Sequence, residues 1–166
     1  TNTILMVRPL SFSYNEQTAV NNFYQKKISL DHQDIQRKAL SEFDNFVIKL
    51  KQNGVNVIII EDNSKGETPD SIFPNNWVSF HSNGFVSLYP MYALNRRKER
   101  RTDIFDLLRN KYNYQIHKIK DFSSLEDKNI FLEGTGSMVL DRKNRICYAA
   151  ISVRTHKLTV LDFCNE

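Results

Sequence analysis

The sequence predicts an α/β fold built from similar units. Strand-like and helix-like segments alternate along its 166 residues, an order typical of α/β proteins. A hairpin pattern at 77–89 returns about 60 residues later at 137–151, and such internal similarity indicates a repeat architecture. We therefore expect each unit to combine strands with a helix.

The first unit is predicted as strand, helix, strand. Residues 4–7 are a short apolar run that ends at Arg8 and Pro9, where proline removes a backbone donor. Residues 55–60 form a β-branched run typical of a strand covered on both faces. Between them, apolar residues at three- and four-residue steps predict an amphipathic helix with Gly54 as its C-terminal cap. The helix positions are Ile35, Ala39, Phe43, Phe46, Val47 and Leu50.

The second unit begins with a hairpin. Asn83 and Gly84 predict a tight turn between two apolar runs within 77–89. A helix is then expected from near Thr102, followed by a strand over 114–119. This order repeats the helix and strand of the first unit.

The third unit repeats the hairpin at 137–151 and then places Thr155 as the N-cap of a helix. No strand follows this helix, although one follows each of the first two. Because a repeat cannot bury its apolar face alone, we expect exposed core residues here. The chain is thus predicted to be the N-terminal part of an incomplete domain, 1–166, or to be completed by another chain. The alternative is a domain that ends in a helix.

Composition indicates an ordinary globular protein. The chain is 40% hydrophobic and 25% charged, with a formal charge of +4. No apolar run approaches the roughly 20 residues of a membrane span, and no signal-peptide pattern is seen, so a cytoplasmic location is expected. Cys147 and Cys164 are expected to be buried thiols, and no residue spacing suggests a metal site.

Polar residues that could bind a ligand lie near the predicted strand ends. A carboxylate can accept two parallel hydrogen bonds from a guanidinium, and an arginine can hold a carboxylate in the same way. Together they could hold a guanidino amino acid at both ends. For each residue a structural role is also open, as a turn after Pro69 or a solvated helix entry at 96–101. The candidates are Asp70, Asn75, Asn76, Arg96, Arg97, Glu133 and Arg154.

Glu133 is the strongest candidate among these residues. It stands between the apolar run 130–132 and the glycine-rich turn 134–136. A glutamate between a strand and a glycine turn is expected to be held in position rather than simply solvated. The four histidines lie within strand patterns or near helix starts, so none is an obvious general base.

Five ordered motifs resemble those of the guanidino-group-modifying, or pentein, superfamily. This superfamily includes amidinotransferases, arginine deiminases and dimethylarginine dimethylaminohydrolases, and the nearest resemblance is to citrulline-utilisation hydrolases. The motifs are Pro69-Asp70-Ser71-Ile72-Phe73, Asn75-Asn76, Arg96-Arg97-Lys98-Glu99, Leu132-Glu133-Gly134 and Ser152-Val153-Arg154-Thr155. Each motif alone is weak, but five in order are fairly specific.

The resemblance implies a pentein, a five-bladed α/β propeller, of which this chain would form about two and a half blades. Asp70 would bind the substrate guanidinium, and Asn75 and Asn76 would line its pocket. Arg96 and Arg154 would hold the substrate carboxylate. Glu133 would orient the catalytic histidine, while a cysteine thiolate attacks the guanidinium carbon. No metal or organic cofactor is implied.

The sequence departs from the family pattern in two ways. Asn75 and Asn76 replace the charged residues of many deiminases and resemble succinylarginine dihydrolases more closely, which leaves the substrate open. The family's catalytic histidine and late cysteine belong to later blades, and Cys147 and Cys164 match neither position. This chain alone is therefore expected to be inactive.

The sequence thus predicts the substrate-binding half of a guanidino hydrolase or amidinotransferase that acts on arginine or a close relative. Its expected partners are a small guanidino substrate and the remaining half of the domain or a partner chain, with a homo-oligomer possible. Neither a membrane nor a nucleic acid is expected. Two alternatives stay open: an inactive pentein-like binding module, and a nucleic-acid-binding domain built on the arginine cluster at 96–101.

Overall fold

The computed structural model describes residues 2–27 and 29–166, which form two compact units. The first unit ends at Pro74 and the second runs from Asn75 to Glu166. The strands of the described residues form three small sheets, one in the first unit and two in the second. The fold is therefore mixed α/β, as the sequence predicts.

The first unit is a parallel strand pair connected by a long helix. Strands β1 (Thr3–Arg8) and β2 (Asn56–Glu61) pair in register, with Thr3 opposite Asn56 and Arg8 opposite Glu61. The short helix α1 (Glu16–Ala19) and the long helix α2 (His32–Gln52) lie between them in sequence. The buried apolar side chains of this unit are Val7, Phe43, Val47, Ile58 and Ile60.

The second unit begins with a three-stranded sheet. Strand β3 (Val78–Phe80) pairs antiparallel with β4 (Phe85–Leu88), and β4 pairs parallel with β5 (Lys118–Asp121). Helices α3 (Leu94–Arg97) and α4 (Asp103–Tyr112) connect β4 to β5. The predicted hairpin and its helix are thus confirmed.

The remainder of the second unit is a second hairpin followed by a helix. A single 3-10 helix (Ser123–Lys128) and the helical turn α5 (Gly134–Ser137) lead into it. Strands β6 (Met138–Asp141) and β7 (Ile146–Ala149) pair antiparallel and are followed by α6 (Lys157–Asn165). A buried cluster joins this part to the end of β4 through Tyr89, Phe122, Leu132, Met138 and Phe163.

Several predicted details are wrong. The strand expected over 114–119 begins only at Lys118, because the preceding residues pass over the hairpin turn, where the amides of His117 and Lys118 donate to the Gly84 carbonyl. The last helix was expected to have Thr155 as its N-cap, but its N-cap is His156 and it begins at Lys157, because Thr155 instead forms bridges with Ser152 and Leu132.

Burial also differs from expectation in two places. Within β2 only the alternate residues Ile58 and Ile60 are fully buried, so the strand is not covered equally on both faces. Cys147 is half-buried and Cys164, on the last helix, is exposed. As expected for the third unit, the part of the chain from the final hairpin to the last helix exposes a series of large apolar side chains: Val139, Tyr148, Ile151, Val153 and Leu158.

A polar chain crosses the core of the second unit. Arg142 Nη1 lies 2.9 Å from His81 Nδ1, and His81 Nε2 lies 2.9 Å from the hydroxyl of Ser79. That hydroxyl lies 2.7 Å from the Tyr89 hydroxyl. Because Arg142 can only donate, His81 is suited to accept at Nδ1 and to donate from Nε2. Burial, reinforced by Arg142, lowers the pKa of His81 from 6.5 to about 4.

We expect this histidine to make stability fall in acid. The pKa of His81 is lower in the folded state than in the unfolded state, so its contribution is complete above pH 6.5 and is lost as the pH falls towards 4. His81→Gln should reduce the loss of unfolding free energy between pH 7 and pH 4.5 by roughly 1–2 kcal/mol, since each pKa unit is worth about 1.4 kcal/mol when fully expressed. Urea unfolding at both pH values measures this difference, and parallel losses in the two proteins would contradict it.

Candidate active site

Glu133 lies at the centre of the candidate site. It follows Leu132, which forms an isolated antiparallel bridge with Thr155, and it precedes the helical turn α5. The predicted strand before Glu133 is therefore a single bridge. Glu133 is only 3% exposed. Since a charged group is costly to remove from water unless it is paired or hydrogen-bonded, its partners define the site.

Three groups of the second unit donate to the Glu133 carboxylate. The backbone amide of Tyr92 donates to Oε1 at 3.0 Å. Arg154 Nη1 lies 3.2 Å from Oε1 and 3.1 Å from Oε2, and Asn76 Nδ2 lies 3.4 Å from Oε2. The carboxylate is thus surrounded by a backbone donor, a side-chain amide and a guanidinium.

Arg154 is held against Glu133 by two further contacts. Its guanidinium carbon lies 5.2 Å from the centre of the Tyr92 ring, within the range of a cation–π interaction. The Ser137 hydroxyl donates to the Arg154 carbonyl at 3.1 Å and accepts the Glu133 amide at 3.2 Å. Ser137 therefore joins the backbones of the two charged residues. The Arg154 side chain is 18% exposed, so solvent still reaches it.

Two glycines let the asparagine turn approach Glu133. Asn75 and Asn76 lie in a single 3-10 turn, Pro74–Asn76. A Cβ atom on Gly134 would lie 2.3 Å from the Asn75 carbonyl oxygen, and a Cβ atom on Gly136 would lie 2.5 Å from Asn76 Nδ2. The predicted glycine turn after Glu133 therefore packs closely against both asparagines.

Arg96 lies apart from this group. Its Nε and Nη2 donate to the Glu99 carboxylate at 2.9 and 2.8 Å, and both side chains are almost fully buried. The other arginines of this stretch also face carboxylates of the same unit. Arg100 pairs with Glu126 at 2.6 Å and Arg101 with Asp103 at 2.6 Å. The cluster predicted as a solvated helix entry is thus largely an internal ionic network.

Asp70 lies in the first unit, where two side chains hold its carboxylate. Asn15 Nδ2 donates to Oδ2 at 2.7 Å and the Thr18 hydroxyl at 3.3 Å. Asn15 also caps α1 by accepting the Gln17 amide. Asp70 is therefore an anchored carboxylate rather than a residue of a simple solvated turn.

Sequence reasoning missed Tyr92 and Ser137. Tyr92 contributes a backbone amide and a ring, neither of which any motif marks. Its position just after strand β4 was a usable signal, because the other candidates also follow strands. Ser137 was assigned only to the start of a hairpin, although its hydroxyl links Glu133 to Arg154.

Cys147 is not an activated nucleophile. Burial and the neighbouring Cys164 raise the pKa of Cys147 to about 11, which disfavours the reactive thiolate. In the same part of the chain, no group of three or more histidine, cysteine, aspartate or glutamate side chains could hold a metal ion. No helix that the structure describes is both long enough and apolar enough to cross a bilayer.

Comparison with known families identifies the family of this chain. The model of the eukaryotic N,N dimethylarginine dimethylhydrolase family matches residues 8–166. The chain belongs to this family. It is therefore a member of the guanidino-group-modifying superfamily, as its five motifs indicated. No curated protein sequence gives a significant match.

Solved structures of the same type share the fold of this family member. The substrate-bound N-terminal domain of ArgZ, a cyanobacterial arginine dihydrolase, aligns with 98% of the chain at a TM-score of 0.64 and 16% identity. A dimethylarginine hydrolase variant from Pseudomonas aeruginosa in complex with citrulline aligns with 99% at a TM-score of 0.61 and 15% identity.

The chain spans only part of these relatives. It covers 55% of the ArgZ domain and 56% of the Pseudomonas enzyme. It covers 20% of the longer ArgZ chain, which it matches with a TM-score of 0.61 and 17% identity. The activity of a whole family member is therefore a matter for proposal here.

The glycine contacts give a graded prediction for stability. Gly134→Ala should destabilise the protein by more than about 1 kcal/mol, because the new Cβ meets backbone atoms and φ is positive. Gly54→Ala is a matched control, since Gly54 also has positive φ but open space around it. Gly136→Ala should cost less, because the Asn76 side chain can move away. Urea unfolding of the three variants measures the order, and an equal loss for Gly134→Ala and Gly54→Ala would contradict it.

Proposed function

We propose that this chain supplies the substrate-binding side of a hydrolase that cleaves a C–N bond in the guanidino group of arginine or a methylated arginine. The observation that carries this proposal is the buried Glu133 carboxylate with Asn76 and Arg154 around it, in a chain that the dimethylarginine dimethylhydrolase family model matches over residues 8–166. These are three of the residues that the family motifs mark.

The site already has the chemistry to hold a guanidinium. In this structure Glu133 accepts from the Arg154 guanidinium, which also lies over the Tyr92 ring. Carboxylate pairing and cation–π contact are both general means of recognising this group. The arrangement supports a role for Glu133 as the carboxylate that orients the catalytic histidine. The role of Asp70 as the ligand of the substrate guanidinium is supported by its motif, Pro69-Asp70-Ser71-Ile72-Phe73, which resembles that of the family.

We propose that Arg154, in preference to Arg96, binds the substrate carboxylate. Arg154 is 18% exposed, whereas the Arg96 side chain is 5% exposed and bound at two nitrogens by Glu99. Asn75 and Asn76 line the pocket in this proposal, and Asn76 contributes through the contact of its side-chain amide with Glu133.

The reaction proposed for the complete protein is covalent. A cysteine thiolate attacks the guanidinium carbon, ammonia or a methylated amine leaves with a proton from the histidine, and water then releases citrulline and the thiol. Cys147 is a poor candidate for this thiolate because its pKa is raised to about 11. We therefore propose that the histidine and the cysteine lie outside this chain, in the remaining blades of a five-bladed propeller.

The exposed apolar surface of the last hairpin and helix supports this proposal. Val139, Tyr148 and Leu158 are 57–69% exposed there. A neighbouring blade would cover such a surface, since a single repeat cannot bury its own apolar face. By contrast, the pairing of Arg96, Arg100 and Arg101 with carboxylates argues against a nucleic-acid interface.

Hydrolysis by the complete protein tests the proposal. With arginine as substrate we expect citrulline and ammonia, and with asymmetric dimethylarginine citrulline and dimethylamine. Asp70→Ala and Glu133→Ala should each lower kcat/KM by at least about 100-fold, in line with the loss of a positioned catalytic group. Glu42→Ala, on the exposed face of α2, is the control and should leave activity unchanged. Near-normal turnover in both site variants would refute the proposal.

A further inference from the structure

The segment from Tyr89 to Tyr92 connects strand β4 to helix α3 and carries the amide that donates to Glu133. Its other backbone groups also have partners in the second unit. The Tyr89 amide donates to the Trp77 carbonyl at 3.0 Å, and the Leu132 amide donates to the Pro90 carbonyl at 3.2 Å. The Tyr92 amide then donates to Glu133 at 3.0 Å. The position of the Tyr92 amide therefore depends on the side chains that hold residues 89–92 in place.

Glu126 and Arg100 hold the segment from one side. Glu126 Oε1 accepts the Met91 amide at 2.7 Å and Arg100 Nη1 at 2.6 Å, while Oε2 accepts Arg100 Nη2 at 3.0 Å. Arg100 Nη1 also donates to the Tyr89 carbonyl at 3.0 Å. The Glu126 side chain is 9% exposed and that of Arg100 is 14% exposed. The pair is thus nearly buried and bonded to the residues that precede Tyr92.

Arg97 contacts the same segment and the same carboxylate. Its Nε donates to the Met91 carbonyl at 2.9 Å and its Nη2 approaches the Tyr92 carbonyl at 3.4 Å. Nε also lies 3.6 Å from Glu126 Oε2. The Arg97 guanidinium lies 5.8 Å from the centre of the Phe131 ring, which itself packs at 5.3 Å against the Tyr92 ring. Arg97 therefore contacts the backbone of Tyr92 directly and its ring by way of Phe131.

We propose that Glu126 is a positioning residue for the candidate active site. Together with Arg97 and Arg100 it fixes residues 89–92, and through the Tyr92 amide it fixes the orientation of the Glu133 carboxylate. This inference rests on the proposed function for its catalytic consequence. The three side chains bond to the segment at Tyr89, Met91 and Tyr92, and Tyr92 carries the donor that reaches Glu133.

Amide hydrogen exchange tests the structural half of the proposal. Glu126→Gln keeps an acceptor for the Met91 amide but removes the charge that binds Arg97 and Arg100. We expect exchange of the Tyr92 amide to accelerate by about tenfold or more, because protection follows the stability of the local hydrogen bond. Asp103→Asn is the matched control, since it neutralises the carboxylate that pairs with Arg101, at the first position of α4 rather than against the segment's partners Glu126, Arg97 and Arg100.

A second variant covers the case in which Glu126→Gln does not fold. Arg100→Lys keeps the positive charge but loses the paired bonds to Glu126 and the Tyr89 carbonyl, so it should also accelerate exchange at Tyr92. If a folded Glu126→Gln or Arg100→Lys protein protects Tyr92 as well as the unaltered protein does, the proposal is wrong.

Kinetics of the complete protein test the catalytic half. Glu126→Gln should lower kcat about tenfold and change KM by less than about twofold, because misplaced positioning groups reduce the rate more than the binding of substrate. Glu126→Asp should lower kcat less than Glu126→Gln does, and Asp103→Asn should leave kcat unchanged. If Glu126→Gln lowers KM and kcat alike and leaves the exchange rate of the Tyr92 amide unchanged, Glu126 is not a positioning residue. If the unaltered protein hydrolyses no guanidino substrate, the proposed function fails, while amide exchange still decides the positioning role.

Discussion

The second unit is organised around the need to satisfy one buried carboxylate. Glu133 is 3% exposed, and a charge so placed requires donors within the fold. Those donors come from separate segments: the asparagine turn before β3, the Tyr92 amide after β4, and Arg154 after β7. None of them could reach Glu133 unless the strands and the glycine turn were correctly placed. The geometry of the candidate site therefore depends on how the strands and turns place these donors around Glu133.

The same principle explains the arginine-rich stretch between β4 and α4. In sequence it resembles an exposed basic patch, in keeping with the formal charge of +4. In the structure Arg96, Arg100 and Arg101 each pair with a carboxylate of the same unit. Arg100 also donates to a backbone carbonyl, that of Tyr89. Positive charge here serves packing and positioning. This favours guanidino chemistry at Glu133 over electrostatic binding of a polyanion.

Much of the fold could be predicted from the sequence, because its signals are local. The spacing of Phe43 and Val47 predicts α2, and Asn83-Gly84 predicts the first hairpin; both are confirmed. The position of Glu133 beside glycines also marked it as a site residue. The partners of the buried charged groups could not be predicted. Arg100 and Glu126 lie 26 residues apart in the sequence. The amide of Tyr92 is a backbone donor, which every residue except proline has, so the residue type does not indicate it. The start of α6 was missed because Thr155 is held by bridges to Ser152 and Leu132, which no local pattern reveals.

The central claim is that Glu133 and Arg154 form a strongly coupled, buried pair that organises the site. A double-mutant cycle measures this coupling directly, with Glu133→Gln and Arg154→Met, the latter chosen to keep an apolar stem over the Tyr92 ring. From urea unfolding of the four proteins we predict a coupling free energy of about 2 kcal/mol, within the range of roughly 0.5–3 kcal/mol found for residues in contact. A coupling below about 0.5 kcal/mol, the level at which independent sites are additive, would contradict the account.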